Sequence, residues 1–291
     1  MKKIPIGIND FKTLIENNYY YIDKTKHIED ILNDGSEVIL FTRPRRFGKT
    51  LNMSMLKYFF DIENKEENRK LFKNLYIEKS EYFKEQGQYP VIFISLKGLK
   101  EKAWENCFNE IKALISKLYN EFEFIKKVLN ESELNIFDKI WLKKDDGEYT
   151  NALKNLTSFL YKYYKKEVIL LIDEYDAPLI NAYEYGYYDE AILFFKVFYG
   201  EALKTNLYLR TGIMTGIIRV IKAGIFSDLN NLKIYSILDK EYSDFFGFTQ
   251  EEVKKALEDF NIEYELPEVK SWYDGYKFGN SEVYNPWSIL N

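Results

Sequence analysis

Residues 37–51 read EVILFTRPRRFGKTL, an apolar run that ends in a basic turn closing on Gly48, Lys49 and Thr50. A strand feeding a tight loop that ends Gly-Lys-Thr and opens a helix is the arrangement a nucleoside triphosphate requires. Backbone N–H groups and the first turn of the helix cradle the phosphates, a lysine reaches the β- and γ-phosphates, and the hydroxyl that follows ligates Mg²⁺. Arg45, Arg46, Phe47, Gly48, Lys49, Thr50 and Leu51 are therefore the expected nucleotide-binding stretch. One position departs from the usual pattern. The glycine normally found five residues before Gly48 is Arg43, and Pro44 after it has no N–H to donate. Three roles are open to the triplet Arg43, Arg45 and Arg46: surrounding phosphate oxygens, pairing with an acid such as Asp176, or facing a partner. Arginine's planar fork suits the first two.

A second stretch decides the reading of the first. Val168 to Ile172 is a run of five apolar residues followed by Asp173-Glu174-Tyr175-Asp176. Such a run predicts a strand buried on both faces of a parallel sheet, with Asp173 at its carboxyl end, where open α/β sheets bind ligands. There Asp173 would hold Mg²⁺ beside Thr50, and Glu174 would polarise a water against the γ-phosphate. The pairing is typical of P-loop ATPases with an extra strand between the loop strand and the acidic strand, and Pro90 to Leu96 supplies such a strand. A strand beginning near Leu207 should border both. Its polar end offers Thr215 as the first candidate for γ-phosphate contact, Thr211 as the second, and Arg219 as a sensor or arginine finger. Tyr21 and Ile22 precede the loop strand and either line the adenine or pack into the core. Tyr175, Asp176 and Pro178 read as a chain turn.

The remaining apolar runs alternate with helical periodicity, which predicts an α/β fold: a P-loop NTPase with a mainly parallel central sheet flanked by helices. Residues 1–238 form the expected ATPase core. From Asp239 the character changes, to a helix capped by Thr249 and a hairpin turning at Asp274-Gly275. A helix is also expected from about Lys24, with Asp23 at its cap.

Composition narrows the chemistry. One cysteine and one histidine exclude a thiolate zinc site and make a Ser-His-Asp triad improbable. A net charge of −5 argues against a protein that coats nucleic acid. No apolar stretch approaches the roughly 20 residues of a membrane helix, and the start is not a signal peptide, so the expected location is cytoplasmic.

The combination of Tyr21-Ile22-Asp23-Lys24-Thr25, Thr42 to Thr50, Leu171 to Asp176, Ile225 to Leu232 and Trp272 to Tyr276 resembles the bacterial AAA-ATPase-like family. The resemblance implies an Mg²⁺-dependent ATPase core with Arg43 as that family's own way of writing the loop. It also implies that residues 239–291 form a small C-terminal helical and hairpin lid and the start of a linker to a PD-(D/E)XK nuclease-like domain, a companion in the full-length protein. A homo-oligomer is a further possible partner. The ranked alternatives are a slow or non-hydrolysing ATP-bound switch and, below it, a nucleic-acid binder.

Overall fold

The computed structural model describes residues 2–220, 224, 226, 229–263, 266–273 and 275–290. Five strands form the central sheet: β1 (Val38–Thr42), β2 (Val91–Ser95), β3 (Val168–Asp173), β4 (Leu209–Gly216) and β5 (Leu232–Tyr235). Their order is β2-β3-β4-β1-β5, all parallel. The strand lying between β1 and β3 is β4 and not the expected one within 90–96, whose strand β2 takes the edge beside β3. All residues of β1 and β3 are buried. This is why both read as unbroken apolar runs rather than as alternating ones.

Register carries the functional detail. Along β2 and β3, Val91 pairs with Ile169 and Ser95 with Asp173. Along β3 and β4, Val168 pairs with Leu209 but Ile169 pairs with Thr211, a one-residue slip at Arg210. From there the pairing runs to Ile172 with Met214. The slip therefore brings Thr215, rather than Met214, level with Asp173, and a one-residue change of register turns a side chain to the other face.

Contacts divide the chain into two compact units. One comprises Ser36–Leu40 and Tyr89–Lys233, the other Met1–Gly35, Phe41–Gln88 and Ile234–Asn291. The first is built around β2, β3 and β4. It includes helices Trp104–Glu121, Ala152–Tyr164 and Tyr188–Leu203, whose buried faces carry Ile111, Ile115, Leu156, Leu160, Phe195 and Phe198.

The second unit contains helix Lys49–Phe60, which follows the Gly48-Lys49-Thr50 turn, and a three-stranded antiparallel sheet. That sheet comprises β6 (Phe248–Thr249), β7 (Tyr276–Phe278) and β8 (Ser281–Tyr284), in the order β6-β8-β7. The capping box expected at Thr249 is present. Its side chain accepts from the Glu252 N–H while Glu252 accepts from the Thr249 N–H, opening helix Gln250–Asp259.

Two local expectations are corrected. Asp274 lies outside the described residues, and the hairpin turns instead at Gly279-Asn280, between β7 and β8. Gly279 has φ +51°, and a Cβ there would meet the Asp239 carbonyl oxygen at 2.4 Å, so only glycine fits. The early helix spans Lys26–Asp34 with Thr25 as its cap, and Asp23 instead accepts from the Thr25 N–H and hydroxyl. No helix among the described residues is long and apolar enough to cross a membrane.

Candidate functional site

The loop expected to hold phosphate leaves β1 at Thr42 and enters its helix through Gly48, whose left-handed backbone (φ +77°) makes the turn. Arg46 is also left-handed, at φ +68°. Arg43 is not among the positive-φ residues, so the position normally held by glycine makes no demand here that a side chain cannot meet. The Lys49 ammonium donates to the carbonyls of Arg43 (3.0 Å) and Pro44 (2.9 Å), and the loop thus curls around its own lysine. Thr50 stands half-buried in the first helical turn, with Leu51 after it.

Arg43 settles one of the open readings. Its side chain is fully buried and its guanidinium donates to the carbonyls of Thr42 (3.0 Å), Tyr235 (2.8 Å) and Tyr242 (3.0 Å). It also faces the rings of Phe246 and Phe278, at 5.0 and 5.5 Å. Burial pushes its pKa down to about 10, with Asp239 opposing, so the group keeps its charge at neutral pH. Arg43 therefore ties the loop to the backbone of the C-terminal segment. Of the roles considered for it, phosphate binding, pairing with Asp176 and facing a partner, none matches this inward placement.

The other loop side chains divide. Phe47 is buried between Tyr276 and Phe278, with ring centroids at 5.0 and 5.2 Å. Arg46 lies over the Trp287 ring at 4.7 Å, and Arg45 is exposed. Asn52, one turn into the helix, donates to the Phe245 carbonyl.

The segment expected to approach the base is anchored in the same unit. Tyr21 meets Phe11 edge-on, its hydroxyl accepts from the Lys24 N–H, and it points at Met55 Sδ. Ile22 is half-buried. Lys24 is buried, and its ammonium contacts both carboxylate oxygens of Glu252 at 2.6 Å. Burial lowers its pKa, and Glu252 works against that shift. His27 sits among Phe41, Tyr242, Phe245 and Phe246 as a core ring.

Asp173 and Thr215 stand on β3 and β4, in the other unit. Asp173 is fully buried. Its Oδ1 accepts from the Thr215 hydroxyl at 2.6 Å and its Oδ2 from the Ser95 hydroxyl at 3.3 Å. Both contacts follow from the register of the three strands. The Glu174 N–H donates to Thr215 Oγ1 (3.3 Å), and the Tyr175 N–H to the Thr215 carbonyl (2.9 Å). Glu174 itself is half-buried at φ +54°. Thr211, the second candidate, lies toward the start of β4 and donates to the Glu37 carbonyl.

Beyond β4 the residues read as a simple turn make specific contacts. Asp176 Oδ2 accepts from the N–H groups of Ile217 (2.7 Å) and Ile218 (2.9 Å). The Tyr175 hydroxyl donates to the Ile218 carbonyl (2.8 Å) and accepts from the Val220 N–H (3.1 Å). Arg219, between them, is exposed. Burial pushes the Tyr175 phenol above its usual range, and the positive charge of Arg219 is among the influences that oppose this. Ser95, Tyr175 and Asp176 belong to this hydrogen-bond network, a place the sequence reading does not give them. The sequence signal for Ser95 was its place at the end of an apolar strand; for the other two it was only adjacency to Asp173-Glu174.

Comparison with known proteins fits this arrangement. No solved structure matches the chain. A protein of Azotobacter chroococcum mcd 1 described as "Uncharacterized protein in vnfD 5'region" is 26% identical over 291 residues, covering 99% of this chain and 51% of that protein. The chain spans about half the length of this relative. A family model described as "Predicted AAA-ATPase" matches residues 5–226, most of the chain, and the protein belongs to this AAA-ATPase-like family.

Proposed function

We propose that the chain binds ATP with Mg²⁺ and hydrolyses the β–γ phosphoanhydride, and that this cycle regulates an attached nuclease-like domain or a partner protein in the cytoplasm. The observation that carries the proposal is the hydrogen-bonded pair Asp173–Thr215 at the carboxyl ends of β3 and β4, of which β4 neighbours the strand feeding the Gly48-Lys49-Thr50 loop. In this reading Lys49 exchanges the Arg43 and Pro44 carbonyls for β- and γ-phosphate oxygens. Loop N–H groups and the Arg45 and Arg46 side chains add positive potential.

Thr50 and Asp173 are hard oxygen donors, the chemistry Mg²⁺ selects. Among the described residues no cluster of three or more His, Cys, Asp or Glu could hold a metal. Mg²⁺ in nucleotide sites is commonly bound by one or two protein oxygens together with nucleotide phosphates and water. When bound, the ion supplies charge neutralisation on the phosphates. Glu174 takes the proton of the water that attacks the γ-phosphorus as the bond to the β-phosphate oxygen breaks and ADP departs. Thr215 holds Asp173 in place and sits beside the Glu174 backbone, while Arg219 meets charge on the γ-phosphate. Tyr21 and Ile22 contribute to the surroundings of the base.

The test is ATP turnover with Mg²⁺ by wild type and Glu174→Gln. Loss of a general base predicts a fall of roughly a hundredfold or more with nucleotide binding retained. Equal rates would remove Glu174 from the chemistry. Tightly bound nucleotide with negligible turnover in both proteins would instead identify a nucleotide-loaded switch.

A further inference from the structure

We propose that Tyr175 and Asp176 are positioning residues that hold residues 217–220 and so aim the Arg219 side chain. The inference rests on the functional reading above, in which Arg219 meets the γ-phosphate. β4 ends at Gly216, and residues 217–220 belong to no strand or helix. Their backbone is held from the acidic turn. One carboxylate oxygen of Asp176 takes the N–H groups of Ile217 and Ile218, and one phenol oxygen takes the Val220 N–H while donating to the Ile218 carbonyl.

The residues immediately before and after Arg219 are thus pinned by the same hydroxyl, while the Arg219 side chain between them points to solvent. A residue that merely turned the chain would need none of these bonds.

The anchor is itself rigid. Tyr175 and Asp176 are fully buried, and the Tyr175 carbonyl accepts from the Tyr199 hydroxyl at 2.8 Å. A Cβ at position 216 would lie 2.5 Å from the Tyr175 ring and 3.0 Å from Asp176 Cγ, so strand end and acidic turn are in direct contact. The two residues that follow Asp173-Glu174 in sequence therefore set the Arg219 segment on the same frame as the proposed base. An arginine on an untethered loop would spend ordering entropy on reaching a phosphate, whereas a pinned backbone leaves only side-chain rotamers to fix.

Affinity for a nonhydrolysable ATP analogue and for ADP, both with Mg²⁺, reads the γ-phosphate contact without requiring turnover. Arg219→Ala should lower the analogue-to-ADP affinity ratio roughly tenfold, the scale of one charged hydrogen bond. Tyr175→Phe keeps the buried ring and loses both hydroxyl bonds. It should lower the ratio nearly as far, and the double variant no further than Arg219→Ala alone. Asp176→Asn, which retains an acceptor oxygen, should stay near wild type, whereas Asp176→Ala should not. A wild-type ratio in Tyr175→Phe, or a double variant in which the two losses multiply, overturns the tether while leaving the ATPase reading intact. A wild-type ratio in Arg219→Ala overturns the inference by removing the contact to be aimed. Absence of nucleotide binding in the wild type is a different failure, which defeats the functional reading and this inference with it.

Discussion

Replacing Arg43 by alanine removes the buried guanidinium that joins the phosphate loop to the C-terminal segment. Three carbonyls lose their donor, two of them on Tyr235 and Tyr242. An abandoned buried acceptor costs about 1–3 kcal/mol, and rings that lose a cation lose about 0.5–2 kcal/mol more. Desolvation of the charge, which the wild type bears and the variant does not, offsets part of this. The net expectation is a loss of about 4 kcal/mol, within the range seen when one partner of a buried charged contact is removed. Urea unfolding followed by tryptophan fluorescence and circular dichroism measures it, with coincident transitions licensing a single free energy. Arg43→Lys should recover little, because an ammonium on a thin stem cannot fork between two carbonyls. Arg43→Gly, which restores the residue usual at this position, should be as harmful as alanine. The reasoning fails if Arg43→Ala loses less than about 1 kcal/mol while nucleotide affinity drops tenfold or more. That outcome would mean the guanidinium serves phosphate and not the C-terminal backbone.

Burial, helped by the charges of Arg43 and Lys24, pushes the His27 pKa down to about 3. The folded state then holds His27 neutral where the unfolded chain protonates it below about 6.5, so this stability is full above 6.5 and declines toward pH 3. Between pH 7 and 5 the His27 contribution should fall by about 2 kcal/mol. Comparing that slope with the one for His27→Phe tests it, equal slopes refuting the assignment. Gly216→Ala should destabilise by about 1–3 kcal/mol through overpacking against Tyr175, read as a lowered unfolding midpoint.

What could be read from the sequence is what is local. The unbroken apolar runs at 38–41 and 168–172 marked two central strands, and the Gly-Lys-Thr and Asp-Glu endings followed them directly. Thr215 stood out as the polar end of a strand bordering both, and its hydroxyl bonds to Asp173. The register slip at Arg210 that sets it level with Asp173 left no trace in the pattern. The hairpin went to the wrong turn because Asp274-Gly275 and Gly279-Asn280 are both good turn pairs, and only the close approach of Asp239 to Gly279 separates them. Arg43 was opaque for a different reason. Its acceptors are main-chain carbonyls, which every residue has, so no residue type announces them.

Those acceptors also set an order of events in synthesis. Tyr235 and Tyr242 lie 192 and 199 residues after Arg43. At the usual ~5–20 residues per second, they leave the ribosome roughly 10–40 s after the loop does. Until then the guanidinium has no interior to enter, and the loop that curls around Lys49 lacks its brace. Under the proposed function, nucleotide loading would wait for chains whose C-terminal segment has already been made, since a nascent or prematurely ended chain carries the Gly-Lys-Thr residues without the Arg43 brace.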